Sequence, residues 1–205
     1  MKKFIKKGGF VAVLATAALV LAGCSASGGS SDKVTMGATF PVLDQFLQKV
    51  ADGMQAEADT QGVDLTIKAA DNSTDTQLAQ VESFIADGVS AILVVPVDTS
   101  AAQPMVDAAK AANIPLVFVN RNPSIAGVPY VGSDSLVSGT LEMTQLAKLA
   151  GGKGNVAILE GELSNEAAVL RTKGCNDVVA QNPGMKVVKT EAGDWQRDKG
   201  LTITE

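Results

Sequence analysis

Two polar stretches in the second half of the chain carry the residue types best suited to binding a ligand. In the first, an apolar run at Val156–Leu159 leads into a polar turn with Asn165, and a predicted helix carrying Arg171 follows. In the second, Trp195 stands at a similar strand-to-helix turn. Ligands of open α/β sheets bind beyond the carboxyl ends of the strands, so these three side chains should converge there. The planar N–H donors of an arginine suit paired hydroxyls, and the flat indole of a tryptophan suits the C–H face of a sugar ring. This combination favours a neutral polyhydroxylated ligand.

A regular alternation of strands and helices is expected to place these turns along one edge of a sheet. From Lys33 onward, predicted strands and helices alternate at a spacing of roughly thirty residues, which is typical of an α/β fold with a parallel sheet. The predicted strands cover residues 34–40, 63–69, 91–95, 115–119, 129–132, 156–159 and 186–191. The predicted helices cover residues 44–60, 74–87, 101–112, 135–149 and 165–180, and another begins near residue 196.

Polar and aromatic residues also follow the earlier strands. Asp44 and Phe46 follow the first strand, and Asn120 and Arg121 follow the fourth. An arginine beside a buried strand end is costly unless it is paired, so Asn120 and Arg121 are interpreted as ligand-binding residues. Phe46 fits a core position as well as it fits a ligand contact. The remaining polar residues at these ends are interpreted as helix caps and turn formers: Asp71, Asn72, Asp98, Ser133 and Asp134.

Composition limits the possible classes of function. A net charge of −5 argues against a nucleic-acid partner, which requires a basic surface. The sequence contains no histidine, which removes Ser-His-Asp and Cys-His nucleophiles and every histidine-ligated metal site. The glycine-rich segment 151–154 follows a helix and precedes a strand, so it predicts a tight turn rather than a phosphate-binding loop. No catalytic chemistry, cofactor or metal is therefore expected.

The first 24 residues predict an export signal with a lipid-attachment site. Lysines at positions 2, 3, 6 and 7 precede an apolar run at Phe10–Ala22, which is shorter than the ~20 residues of a transmembrane helix. The run ends in Leu21-Ala22-Gly23-Cys24, which resembles a bacterial lipobox and implies diacylglycerol on the Cys24 thiol. The alternative is an ordinary signal peptide with a chance cysteine. Residues 25–32 are rich in glycine and serine and predict a flexible tether.

Taken together, these segments resemble the type I periplasmic sugar-binding proteins, the substrate-binding components of ABC importers. The similarity is greatest to the ribose, galactose/glucose and inositol binders. It is carried by residues 40–46, 94–100, 114–123, 130–134, 152–174 and 194–195, and it covers nearly all of residues 33–205. The resemblance implies two Rossmann-like lobes with parallel sheets that close on a sugar, with residues 33–132 in the first lobe and 133–205 in the second.

The resemblance also implies which residues contact the ligand. They are Asp44, Phe46 and Asn120 in the first lobe, and Asn165, Arg171 and Trp195 in the second. Phe46 and Trp195 match the stacking aromatics of the galactose/glucose type, and Asn120 matches a hydroxyl-binding residue. Two features depart from that type. Ala167 stands where it has a carboxylate, and its calcium-binding loop is absent.

The function implied is that of a lipid-anchored extracytoplasmic receptor that binds a monosaccharide or cyclitol and delivers it to an ABC permease. One alternative is a receptor that presents the sugar to a chemoreceptor or sensor kinase. LacI-type regulators share the fold, but they carry a helix-turn-helix where this chain has the lipobox. The sequence stops at Glu205, soon after a predicted helix begins, so the second lobe is expected to be incomplete.

Overall fold

The computed structural model describes residues 33–205. Cys24, the predicted signal and the predicted tether lie outside the described residues. The strands are β1 (Thr35–Phe40), β2 (Asp64–Ala69), β3 (Ala91–Val94), β4 (Leu116–Val119), β5 (Tyr130–Val131), β6 (Lys153–Glu160) and β7 (Gly184–Ala192). The helices are α1 (Gln45–Gln61), α2 (Thr74–Ala86), α3 (Gln103–Ala111), α4 (Ser135–Leu149), α5 (Glu166–Ala180) and α6 (Arg197–Thr204). The predicted alternation of strands and helices is confirmed.

The first lobe is built on a five-stranded sheet with the order β2-β1-β3-β4-β5, in which every pair is parallel. Helices α1, α2 and α3 cover it. Its core includes the fully buried side chains of Phe40, Phe84, Ile92 and Phe118. Gly37 in β1 lies so close to the Phe84 ring that a Cβ there would overlap it, which explains a glycine inside a strand. Because the strands are parallel, their carboxyl ends meet at one edge.

The second lobe contains the parallel pair β6 and β7 with helices α4, α5 and α6. Helices α4 and α5 pack closely, since a Cβ at Gly139 would overlap the backbone of Arg171 and one at Gly174 would overlap the Leu136 carbonyl. Within residues 33–205, β6 pairs only with β7. The predicted α/β class with parallel sheets is confirmed.

Across residues 33–205, no helix combines the length and the apolar character needed to cross a bilayer.

Candidate functional site

The loop after β1 is fixed by Asp44, which caps helix α1. Its Oδ1 atom accepts hydrogen bonds from the backbone N–H groups of Phe46 (2.9 Å) and Leu47 (2.7 Å). These bonds satisfy donors that a helix N-terminus otherwise leaves unpaired. No hydrogen bond to Oδ2 is present within residues 33–205, so the second carboxylate oxygen remains available. Phe46 follows in the first turn of α1 and is 60% exposed, which makes it a surface aromatic rather than a core residue.

The turn after β4 carries Asn120 and Arg121. Asn120 adopts a left-handed conformation (φ 63°), and its carbonyl accepts a hydrogen bond from Tyr130 Oη (3.2 Å). Arg121 is only 6% exposed, and its Nη1 atom donates to the carbonyl oxygens of Pro96 (2.9 Å) and Val97 (3.0 Å). A buried arginine at this strand end was expected to be paired, and its partners are main-chain carbonyls.

Charge and burial act in opposite directions on Arg121. Burial lowers the pKa of its guanidinium, and the carboxylates of Glu162 and Asp44 oppose that shift. A guanidinium in a protein nonetheless stays protonated, so the turn after β4 contributes a permanent positive charge. Glu162 lies in the loop after β6, so a second-lobe carboxylate influences a first-lobe arginine.

The loop after β6 is fixed by Asn165, which is buried and caps helix α5. Its Oδ1 atom accepts a hydrogen bond from the Ala167 N–H (3.1 Å). Its amide nitrogen makes no hydrogen bond with another residue of the 33–205 range. Asn165 therefore acts as a helix cap that leaves a donor free, a combination that the sequence pattern did not reveal.

Arg171 and Trp195 lie against each other at the second-lobe strand ends. The Arg171 Cζ atom is 5.9 Å from the centroid of the Trp195 ring, within the range of a cation–π contact. The Arg171 Nε atom is buried and has no hydrogen-bond partner among the described residues. Trp195 is 44% exposed and adopts a left-handed conformation (φ 61°). Its ring lies over Gly161, where a Cβ would overlap the indole.

All seven predicted site residues line one cavity of about 300 Å³. They are Asp44, Phe46, Asn120, Arg121, Asn165, Arg171 and Trp195, and Leu47 and Ala167 complete the lining. This volume is at the lower end of the roughly 300–1,000 Å³ usual for small-molecule sites. A wider groove of about 1,050 Å³ adjoins the cavity and shares Asp44, Phe46 and Trp195 with it.

Three hydrogen bonds between the lobes were not foreseen from the sequence. Arg197 Nη2 donates to Gln45 Oε1 (2.6 Å), and both residues line the adjoining groove. The Asn122 N–H donates to a Glu166 carboxylate oxygen (3.4 Å), and Thr99 Oγ1 donates to the Ser164 carbonyl (3.2 Å). Gln45 lies between Asp44 and Phe46, and Arg197 lies two residues after Trp195. Gln45 and Arg197 are 152 residues apart in the chain, so their pairing had no sequence signal.

Within residues 33–205, no group of three or more histidine, cysteine, aspartate or glutamate side chains is arranged to hold a metal ion. The cavity offers hydrogen-bonding groups, the positive charges of Arg121 and Arg171, the negative charge of Asp44, and the aromatic faces of Phe46 and Trp195. Such a set can recognise a small polar ligand.

Comparison with known proteins identifies the family. A family model described as a periplasmic binding protein domain matches residues 39–205. The chain belongs to this family. A candidate rhizopine-binding protein of Rhizobium meliloti is 43% identical over 178 residues, which is 82% of this chain and 58% of the relative. A xylitol-binding protein of Mycolicibacterium smegmatis is 35% identical over 200 residues, which is 95% of this chain and 57% of the relative.

Solved structures agree with this assignment. An ABC transporter solute-binding protein from Bacillus halodurans, crystallised with myo-inositol, is 35% identical with a TM-score of 0.81, covering 85% of this chain and 62% of that one. These similarities confirm the type I periplasmic binding protein fold expected from the resemblance. The relatives are binding proteins, in agreement with the expectation that this chain is not an enzyme. The chain spans 58% and 57% of the lengths of the two curated relatives described above.

Proposed function

We propose that this protein is a solute receptor that binds a monosaccharide or cyclitol between its two lobes. The observation that carries the proposal is the cavity that Asp44, Phe46, Asn120, Arg121, Asn165, Arg171 and Trp195 line together. Four of these residues come from the first lobe and three from the second. A ligand held by both lobes stabilises the closed arrangement, since each lobe alone supplies only part of its partners.

The polar groups suit a ligand with several adjacent hydroxyls. Arg121 and Arg171 present planar forks of N–H donors, which fit two neighbouring oxygen atoms at once. Asp44 Oδ2 provides an acceptor for hydroxyl hydrogens, while the Asn120 and Asn165 side chains supply amide groups. Hydroxyls both donate and accept, so a mixed set of donors and acceptors can satisfy them out of water.

The two aromatic residues suit the apolar faces of a ring. Phe46 comes from the first lobe and Trp195 from the second, and both line the cavity. Each ring offers a flat surface for C–H groups, whose burial contributes through the hydrophobic effect. Trp195 is held by Arg171 on one side and by the glycine backbone at Gly161 on another. The indole is therefore positioned before any ligand binds.

The comparisons support a cyclitol or polyol among the possible ligands. The relatives described above carry names that refer to rhizopine and xylitol, and the Bacillus halodurans structure contains myo-inositol. Ala167 lines the cavity where the galactose/glucose type has a carboxylate, which favours such ligands over glucose or galactose.

The receptor would act outside the cytoplasm and deliver its ligand to an ABC permease. Support comes from the family and from the lipobox-like residues 21–24, which imply attachment to the membrane through Cys24. The closed lobes would present one composite surface to the permease, so that ligand-bound and ligand-free receptor differ in shape.

A thermal-shift screen of the protein tests the proposed ligand class. The panel contains myo-inositol, xylitol, ribose, galactose and glucose. A ligand at about a hundred times its Kd adds ~2.7 kcal/mol of stability, which corresponds to a rise in Tm of about 5–10 °C for a protein of this size. Glycerol at the same concentration is the control for nonspecific stabilisation. If no sugar, polyol or cyclitol raises the Tm more than glycerol does, the proposed ligand class is wrong.

A further inference from the structure

A buried glutamine on helix α2 orders the segment that follows strand β3. Gln77 is 1% exposed. Its Nε2 atom donates to the Val95 carbonyl (2.9 Å), and its Oε1 atom accepts from the Val97 N–H (2.8 Å). A neighbouring parallel strand would engage a carbonyl and an N–H two residues apart in the same way. The glutamine side chain therefore takes the place of a strand and fixes the positions of residues 95–97 beyond the end of β3.

The same segment holds Arg121 in the cavity. Arg121 Nη1 donates to the carbonyl oxygens of Pro96 and Val97, as described above. Elsewhere in the described part of the chain, the Nε and Nη2 atoms of Arg121 find no acceptor. A guanidinium is rigid and planar, so two bonds through Nη1 set the direction of the remaining donors. The positions of the Pro96 and Val97 carbonyls thus set the orientation of the Arg121 guanidinium at the cavity.

Gln77 is itself held by other polar side chains. Its Nε2 atom also approaches Thr39 Oγ1 (3.4 Å), and Thr39 Oγ1 donates to Gln80 Oε1 (2.6 Å). Gln80 Nε2 donates in turn to the Ala69 carbonyl (2.7 Å). This network joins the carboxyl ends of β1, β2 and β3 through α2. Buried polar networks with their partners in place are rigid, so Gln77 has one well-defined arrangement.

We infer that Gln77 is a positioning residue for the ligand site, which acts through the Pro96 and Val97 carbonyls to aim Arg121 into the cavity. The part of this inference that concerns the ligand rests on the proposed function. The part that concerns Arg121 does not, because it can be measured in the ligand-free protein.

The ligand-free test follows the guanidinium of Arg121 by ¹⁵N–¹H spectroscopy. Two hydrogen bonds to Nη1 should slow rotation about the Cζ–Nη1 bond and give a resolved signal, assigned by its loss in Arg121→Met. Gln77→Met removes both polar groups and keeps a side chain of similar length. This variant should lose the Arg121 signal. Glu82→Met, on the exposed side of the same helix and outside this network, should retain it.

Several results would overturn the positioning role. One is an Arg121 signal that persists in a folded Gln77 variant, and another is the absence of that signal from the parent protein. A further measurement needs no variant. The Val97 amide hydrogen, which Gln77 accepts, should exchange slowly with solvent in the parent, and exchange at the rate of an exposed loop would contradict the inference.

The ligand test is a double-mutant cycle, read by calorimetry with myo-inositol, xylitol and ribose as probes. Coupled neighbours show interaction energies that correspond to about 2- to 150-fold in affinity. We expect Gln77→Met to weaken binding by about 3- to 30-fold when Arg121 is present and by less than about twofold in the Arg121→Met background. An equal loss in both backgrounds would contradict the positioning role. Failure of the parent to bind any probe would instead count against the proposed function and leave the spectroscopic test to decide on Gln77.

Discussion

Replacing Arg171 by lysine should weaken ligand binding without destabilising the ligand-free protein. The Arg171 Nε atom is buried, and it has no partner among residues 33–205. An unsatisfied buried donor costs about 1–3 kcal/mol of folding free energy. Lysine has a methylene group at the position of the arginine Nε, so the substitution removes that buried donor. The substitution should therefore leave the Tm of the free protein unchanged or raise it. In this respect Arg171 differs from a structural arginine, whose loss lowers the Tm.

The expected loss of affinity follows from the geometry of the guanidinium. Lysine keeps the positive charge but loses the planar fork, so one charge-assisted hydrogen bond to a ligand hydroxyl disappears. Such a bond contributes about 1.5–3 kcal/mol. The Kd should then rise by about 10- to 150-fold. The substitution also alters the contact of Arg171 with the Trp195 face, so the rise in Kd should lie toward the upper end of this range.

Calorimetry and thermal unfolding of the same preparations measure both effects. The ligand is the member of the sugar and cyclitol panel that stabilises the parent most. Lys173→Ala is the matched control, because Lys173 lies two residues away on α5 and forms an exposed ion pair with Asp177. That pair contributes at most about 1 kcal/mol to stability and does not line the cavity. Parent-like affinity in Arg171→Lys would refute the proposal that the planar guanidinium binds ligand hydroxyls. A marked fall in the Tm of this variant would refute the claim that the buried Nε atom destabilises the ligand-free protein.

Three further predictions concern other parts of the site and the anchor. Gly161→Ala should displace the Trp195 ring and weaken binding, as seen by calorimetry, whereas Gly53→Ala, which adds a Cβ in open space, should leave affinity unchanged. Arg197→Ala removes the exposed hydrogen bond to Gln45 across the adjoining groove. Ligand release should then be about two- to fivefold faster in stopped-flow measurements. An unchanged rate would show that this bond does not hold the two lobes together. Cys24→Ala should abolish membrane partitioning or leave an unprocessed precursor in cell fractionation, and unchanged partitioning and processing would contradict the lipid anchor.

The sequence predicted the parts of the site that depend on topology. Parallel strands bring their carboxyl ends to one edge, so residues after β1, β4 and β6 could be expected to meet even though they are far apart in the chain. The interpretation of Asp134 as a helix cap was also correct, because its Oδ1 atom accepts from the Val137 N–H (2.9 Å). Such local motifs repeat the same geometry in many proteins and can be recognised from residue type and position.

Features that depend on contacts between distant side chains could not be predicted. Gln77 shares the buried face of α2 with Val81 and Phe84, but only the fold shows that its amide bonds to the main chain of Val95 and Val97. Strand β6 begins at Lys153, three residues before the predicted start, because pairing with β7 extends it through polar residues that carry no apolar pattern. Helix α3 begins at Gln103 rather than near residue 101, where residues 98–101 form a turn closed by Asp98.

The fluorescence of Trp195 tests the central claim most directly. It is the only tryptophan in these 205 residues, it lines the cavity, and it is 44% exposed. A sugar or cyclitol stacked on the indole excludes water from it. Titration with the ligand that stabilises the protein should therefore give a saturable shift of the emission to shorter wavelength, with the same Kd as calorimetry. Saturable binding by calorimetry with an unchanged emission spectrum would show that the ligand binds elsewhere and would contradict the account.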